Sequence, residues 1–331
     1  MGTVQDLGER KIIELIVERL EKPPKMPVPF GDDVSAMPLG NGLLAVLKTD
    51  MLVGGLDVPP GMSLYQVARK AVVMNISDFA SKGVQPAALL VSLGLRRGTS
   101  RSDVEDLARG LNAGVREYGA YVIGGDTSEA PDLIIACMVF GTAESNRLIR
   151  RSGAQAGDIL AVTGLFGKTA AGLRVLLHGL DAPTPLKRRL LEAVYLPQAR
   201  LNEGLTAAKT GEVTASIDSS DGLAVSLHEL RKMSGKGFEL SSLPVAPEAE
   251  SFAKLHRLDV KDLVLYGGEE YELVLTIRPG GWQKAQRSIQ EIGGNLIQIG
   301  VVTENQSICL RCDRKKMEIP YRGWEHFRSQ I

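Results

Sequence analysis

Apolar residues along this chain repeat with two periods, and the alternation between them predicts its elements. Within residues 10–20, Ile12, Ile13, Leu15, Ile16, Val17 and Leu20 recur at helical spacing, which predicts an amphipathic helix. The proline-rich stretch 21–30 ends it and leads into Gly31-Asp32-Asp33. The apolar run 42–49 predicts a buried strand, with Asp50 just past its apolar part. Ser63 is placed to cap a helix running toward Gly83, so Asn75 and Asp78 fall three apart on one helical face. A strand over 87–95 and a helix over 102–118, stopped by Gly119, follow. Residues 121–123 read as a strand delivering Gly124-Gly125-Asp126-Thr127, with 133–140 as its antiparallel neighbour.

A polar stretch, 142–158, then breaks the pattern with Arg147, Arg150 and Arg151. It divides the chain into an N-terminal domain, 1–143, and a C-terminal domain, 144–331. The second half reads as strand 159–163, helices 168–178, 185–194 and 197–209, and strand 213–217. That strand feeds Asp218-Ser219-Ser220-Asp221-Gly222 and a helix to residue 234. Gly267-Gly268-Glu269-Glu270-Tyr271, a strand over 272–277, a helix from 281 and strands near 295–302 and 306–311 close the chain. Two α/β (α+β) domains of mixed sheets flanked by helices are therefore expected, with carboxylates at the joins of both.

Composition narrows the partners. The 331 residues suffice for about two domains. With 44% hydrophobic and 24% charged residues, wholesale disorder is excluded. Lysine plus arginine equals aspartate plus glutamate at 39 each, so no global field draws the chain to nucleic acid or to an anionic membrane. No apolar run approaches the ~20 residues of a membrane span, and the first helix starts too early and too charged for a secretory signal. A cytoplasmic location is the expectation. Cys309-x-x-Cys312 is half a zinc site at most and lies in a strand-like stretch, so it reads as chance. His178, His228, His256 and His326 show no ligand spacing.

The chemistry lies in the aspartates. Asp32, Asp33, Asp50, Asp78, Asp126, Asp218 and Asp221 sit beside glycines or at the ends of apolar runs. A carboxylate at a strand end points into the crevice where ligands of α/β proteins bind. Several converging there repel one another unless a multivalent cation neutralises them. Oxygen-only ligands select hard cations, and Mg2+ with retained waters suits a site shared with nucleotide phosphate. Taken singly, Gly31-Asp32-Asp33 fits a turn, Gly124–Thr127 a hairpin connection and Asp221 a helix N-cap. Together they are unexplained by turn chemistry, which asks equally for asparagine or serine. Val162-Thr163-Gly164-Leu165-Phe166-Gly167-Lys168-Thr169 imitates a P-loop, but valine stands where the first glycine must be. A nucleotide would therefore be held mainly through metals.

The order of these motifs carries a resemblance. Gly31-Asp32-Asp33, Thr49-Asp50-Met51-Leu52-Val53, residues 71–78, Gly124–Thr127, Arg151-Ser152-Gly153-Ala154, Ile217 to Leu223, Gly267 to Leu273 and Gly323-Trp324-Glu325-His326-Phe327 span nearly the whole chain. The chain resembles the thiamine-monophosphate kinases, of the superfamily that includes aminoimidazole ribonucleotide synthetase. The resemblance implies that two-domain fold, a homodimer paired through its N-terminal sheets, and ATP and thiamine monophosphate as partners. It implies Asp33, Asp50, Asp78, Asp126 and Asp218 as Mg2+ ligands, Asp221 on a further ion, and oxygens from Thr49 and the backbone of Lys48. Gly125, Arg151 and Ser220 would touch ATP, and Asp57, Glu269 and Trp324 the thiamine phosphate. Asp32 is not carried over as a ligand. Lys48 stands where the family commonly has serine or threonine, Asp57 where histidine is common, and Glu270 where aspartate is usual.

The implied reaction passes the γ-phosphoryl of ATP to an acceptor phosphate that is already an oxyanion, so no general base is required. Alternatives are another ATP-using enzyme of the superfamily or a nucleotide-binding regulator without turnover. A selenophosphate synthetase would want an early reactive cysteine, and none precedes Cys137. The hydrogenase-maturation relative carries its substrate on a C-terminal cysteine, whereas this chain ends Ser-Gln-Ile.

Overall fold

The structure, a computed structural model, describes residues 3–312 and 315–327. An N-terminal helix α1 (Val4–Val17), kinked at Gly8, precedes a hairpin of β1 (Ser35–Gly40) and β2 (Leu43–Val53). A short α2 (Gly54–Asp57) leads to α3 (Leu64–Lys82), which starts on a capping box of Ser63 and Gln66. It stops at Gly83 in the left-handed conformation, as the sequence predicts. Then come β3 (Pro86–Leu95), α4 (Arg101–Glu117), β4 (Tyr121–Glu129) and β5 (Ile134–Glu144). The strands form one sheet in the order β1-β2-β5-β3-β4.

Three expectations are corrected here. The first helix ends at Val17, leaving Leu20 exposed outside it. Strand β2 does not stop before Asp50 but runs on to Val53, because β5 pairs with it residue by residue from Leu43 to Val53. Strand β4 likewise continues through Gly124–Thr127 and pairs in parallel with β3, not with β5. A helical crossover through α4 returns the chain parallel to β3. That leaves β5, buried at alternate residues, to fill the place between β2 and β3.

The second half holds β6 (Ile159–Val162), α5 (Lys168–His178), α6 (Thr184–Tyr195), α7 (Leu201–Thr210), β7 (Val213–Asp218), α8 (Leu223–Ser234) and β8 (Gly237–Leu240). It continues through α9 (Pro247–His256), α10 (Val260–Tyr266), β9 (Leu273–Ile277), α11 (Trp282–Glu291), β10 (Ile297–Thr303), β11 (Ile308–Cys312) and β12 (Lys315–Glu318). Its sheet has the order β12-β11-β8-β10-β6-β9-β7. Cys309 is buried and Cys312 exposed on β11, as expected of residues three apart on a strand, and both are free thiols.

Helix α3 is the centre of the molecule. Its residues Val72, Ile76 and Phe79 share one continuous core with Leu273 and Leu275 of β9 and Ala207 of α7. Gly204 of α7 lets the two helices meet, since a Cβ there would collide with the carbonyl of Ala80. The opposite face of the N-terminal sheet is open, and Met37, Leu39, Met51 and Leu90 are exposed there.

Candidate active site

Helix α3 carries Lys70, Asn75, Ser77, Asp78, Ser81 and Lys82 into the interior, all buried. Such a row of polar side chains is costly unless each finds a partner. The Asn75 side-chain oxygen accepts the backbone N–H of Asp50 at 2.9 Å, which fixes β2 against the helix. One turn on, Asp78 faces Lys48, whose Nζ lies 3.0 Å from Asp78 Oδ2 and 3.0 Å from Asp50 Oδ1. Lys48 and Asp50 share the inward face of β2, and Thr49, between them, is exposed on the open face.

Asp33, Asp78 and Asp218 converge at the join of the two halves, with one carboxylate oxygen of each within 4.8 Å of the others. Ser77 donates to Asp218 at 2.7 Å and Ser81 to Asp33 at 2.9 Å. Lys82 Nζ lies 2.6 Å from Asp33, and Arg151 Nε donates to the same carboxylate at 2.7 Å. Asp32 braces this arrangement from behind. It accepts the N–H groups of Asp33 at 2.8 Å and Arg151 at 3.0 Å, and lies 2.9 Å from Lys82. The convergence joins residues 33, 78 and 218 from two halves of the chain.

Electrostatics sort these carboxylates. Burial would raise the Asp33 carboxyl, but the Arg151 and Lys82 charges outweigh it and hold the group below the usual range. Burial pushes Asp78 well above the ordinary value, with Asp218, Asp50 and Asp33 adding to the effect against Lys48. Asp218 is pushed up to about 6 by burial and by the Asp33 charge. Asp221 is pushed up to about 7 by burial, with Glu9 and Asp218 contributing. The donor set is therefore all oxygen and short of positive charge, which fits a hard divalent cation.

A dependence of stability on pH follows. A carboxyl whose folded-state pKa is raised stabilises the fold below the unfolded value near 4 and loses that contribution as pH rises through the folded value. For Asp218 and Asp221 that loss runs from about pH 4 up to their folded values of about 6 and about 7. In EDTA the melting temperature should fall between about pH 5 and pH 7, and Mg2+ should restore more of it at the upper end. A melting temperature in EDTA that is flat across this interval would contradict the reading.

The other expected residues fall into two groups. Beside the cluster, the Glu269 N–H donates to the Ser220 carbonyl at 2.6 Å and the Tyr271 N–H to that of Ser219 at 2.9 Å. Glu269 and Tyr271 hold positive φ, 63° and 53°, a costly conformation for these residue types that this lacing sustains. The Trp324 N–H donates to the Asp221 carbonyl at 3.1 Å. Lys70 pairs with Glu269 and donates to the Asp57 carbonyl at 2.8 Å, so these two lie side by side. The Asp57 carboxylate itself accepts the Val53 N–H at 2.7 Å. The N-cap of α8 is Gly222, one residue beyond Asp221. Gly125 and Asp126 stand apart on the edge strand β4, where Asp126 pairs with Ser92.

The P-loop imitation is closed from within. Glu270, from the segment that holds Glu269, accepts the N–H of Gly167 at 2.6 Å and of Thr169 at 3.2 Å at the start of α5. A carboxylate of the protein thus fills the position a phosphate would take.

Residues 31–143 match the N-terminal domain of AIR synthase related protein, and residues 155–313 match its C-terminal domain. The thiamine-monophosphate kinase of Nitrosopumilus maritimus is 34% identical over 322 residues, covering 97% of this chain and 99% of the relative. That of Pyrococcus horikoshii is 32% identical over 325 residues, covering 98% and 97%. The chain belongs to the thiamine-monophosphate kinase family. A solved structure described as AaThiL complexed with AMPPCP and TMP superposes with a TM-score of 0.85 at 29% identity, covering 98% of this chain and 99% of that one. A hydrogenase maturation protein of E. coli, at 20% identity and a TM-score of 0.69, shares the two-domain fold.

Within this family frame, the partners that pattern reading missed are Lys70, Lys82, Ser77 and Ser81, and the side chain of Lys48. A signal was available for α3. Lys70, Asp78 and Lys82 are spaced by multiples of four along a helix that also carries many apolar residues, so they fall on one stripe. Lysines recurring with an aspartate on a helix that the fold must bury announce paired charges.

Proposed function

We infer that this protein transfers the γ-phosphoryl group of ATP to the phosphate of thiamine monophosphate, forming thiamine diphosphate and ADP. The observation that carries this reading is the meeting of Asp33, Asp78 and Asp218 at the junction of the two halves. It gains weight from membership of a family in which one solved member is described with AMPPCP and TMP. Asp33, Asp50, Asp78, Asp126 and Asp218 would hold Mg2+, and Asp221 a further ion, with oxygens from Thr49 and the backbone of Lys48. Bound there, Mg2+ would supply positive charge to offset the repulsion between two phosphate groups.

The chain's own residues supply position. Arg151, fixed on Asp33 and on the Gly31 carbonyl at 2.9 Å, sits at the edge of the cluster where ATP would approach with Ser220, and Gly125 on the edge strand β4 would join them from a second copy. Glu269 and Asp57, drawn together by Lys70, and Trp324 across the Asp221 loop would receive the thiamine phosphate. The Trp324 ring is partly exposed, so a face is available to stack on a cationic thiazolium, an interaction of roughly 0.5–2 kcal/mol. Trp324→Ala should raise the KM for thiamine monophosphate by roughly 2- to 30-fold and leave kcat close to that of the parent. An unchanged KM would remove the ring from the substrate site.

A homodimer paired through the open face of the N-terminal sheet belongs to the same reading. Within one chain Asp126 lies three strands from Asp50, about 14 Å at 4.8 Å per strand. Thr49 is exposed on the open, partly apolar face, and Ser92, the register partner of Asp126, is exposed there as well. A second copy packed on that face would carry its β4 toward the β2 of the first. Sedimentation at micromolar concentration tests this, and a monomer under those conditions would reject it. A cytoplasmic location completes the proposal. Among the described residues no helix is long and apolar enough to cross a membrane.

Incubation with ATP, Mg2+ and thiamine monophosphate should yield thiamine diphosphate in step with ADP. ATP turnover without that product, or neither, would overturn the assignment.

A further inference from the structure

Lys48 is the cation best placed to meddle with metal loading. Its Nζ lies 3.0 Å from a carboxylate oxygen of Asp50 and 3.0 Å from one of Asp78. The position is well fixed. Lys48 and Asp50 share one face of β2, and Asn75 pins the Asp50 backbone to α3, one turn from Asp78. Asp78 also forms the oxygen cluster with Asp33 and Asp218. The other buried lysines differ. Lys82 is wholly enclosed between Asp32 and Asp33, and Lys70 is enclosed against Glu269, whereas the Lys48 side chain keeps 20% of its surface open to the crevice.

We infer that the Lys48 ammonium is a tethered cation that takes the gap between Asp50 and Asp78, so that this chain loads one divalent ion fewer than it would without that charge. The inference rests on the cluster being a metal site, as proposed above. A divalent ion bonded to both carboxylates at about 2.1 Å needs the same gap that the ammonium fills. The two cations cannot share it, because like charges at that separation repel strongly inside a protein. Lysine suits the task as a compact point charge on a flexible stem. The consequence concerns stoichiometry and the charge of the bare protein, and leaves the phosphoryl transfer itself unchanged in kind.

The test counts ions. Mn2+ bound per chain would be measured by electron paramagnetic resonance with AMPPCP and thiamine monophosphate present, for the parent, Lys48→Thr, Lys48→Met and Lys48→Arg. The two uncharged variants should each bind one more Mn2+ than the parent, and Lys48→Arg should match the parent. In EDTA the uncharged variants should melt below the parent, and Mn2+ should close the difference. Equal counts in all four proteins would overturn the inference. Should the uncharged variants not fold, anomalous diffraction from Mn2+-soaked crystals of the parent decides. A peak bonded to both Asp50 and Asp78 overturns the inference, and peaks elsewhere with none in that gap support it. A parent that binds no Mn2+ at all defeats the metal reading beneath it, a different result from equal counts.

Discussion

Replacing Asp78 with asparagine should lower turnover at least about a thousandfold while leaving the melting temperature in EDTA level or higher. The loss corresponds to the several kcal/mol that a bound metal contributes to stabilising charge in the transition state. The opposite sign for stability comes from the environment of Asp78. Its carboxyl is buried, and the Asp218, Asp50 and Asp33 charges add to the effect of burial in disfavouring its ionised form. Asparagine keeps the shape and removes the like charge, while Lys48 retains Asp50 at 3.0 Å. Steady-state rates with ATP and thiamine monophosphate, set beside thermal melts in EDTA at pH 8, check both halves. Retention of more than a tenth of the activity would exclude Asp78 from the metal, and a collapsed melting temperature would return it to a purely structural role.

Lys82→Met should cost about 3–5 kcal/mol of stability, the usual effect of removing one partner from a buried ion pair. Lys82 has no exposed side-chain surface, and its ammonium serves Asp32 at 2.9 Å, Asp33 at 2.6 Å and the Ser216 carbonyl at 2.7 Å. Methionine fills most of the same volume, so the loss reports charge rather than a cavity. Arg151 would be left alone to balance two aspartates that water cannot reach. Urea unfolding in EDTA measures the difference, and adding Asp33→Asn to the variant should recover part of it. A loss under about 1 kcal/mol, the scale of an exposed pair, would mean that Asp32 and Asp33 do not depend on Lys82.

What the sequence announced and what it hid follow from range. Helix α3 was legible because both its ends are written locally, in Ser63 with Gln66 and in Gly83. Asn75 and Asp78 were placed on one face by spacing alone, and the structure puts both beside β2. The partnership of β5 with β2 and β3 was not legible. It is set by which strand has a free edge once α4 has crossed, a property of the whole sheet. The extent of β4 was misread because Gly124 and Gly125 look like a turn until a neighbouring strand claims their backbone. The aspartates could be read as a set because their residue type is improbable at so many joins. Their counter-ions could not, since Lys48 and Arg151 meet Asp78 and Asp33 only after the chain has folded. The stop of the P-loop imitation by Glu270 is of the same kind, with a partner more than a hundred residues away.

Helix α3 is fastened at both ends to the other half of the molecule, through Lys70 to Glu269 and through Lys82 to the Ser216 carbonyl. A hinge that swung the halves apart would have to break an ion pair and a buried lysine–carbonyl hydrogen bond at two points about 18 Å distant along the helix. Ligand admission by a clamshell motion is therefore disfavoured.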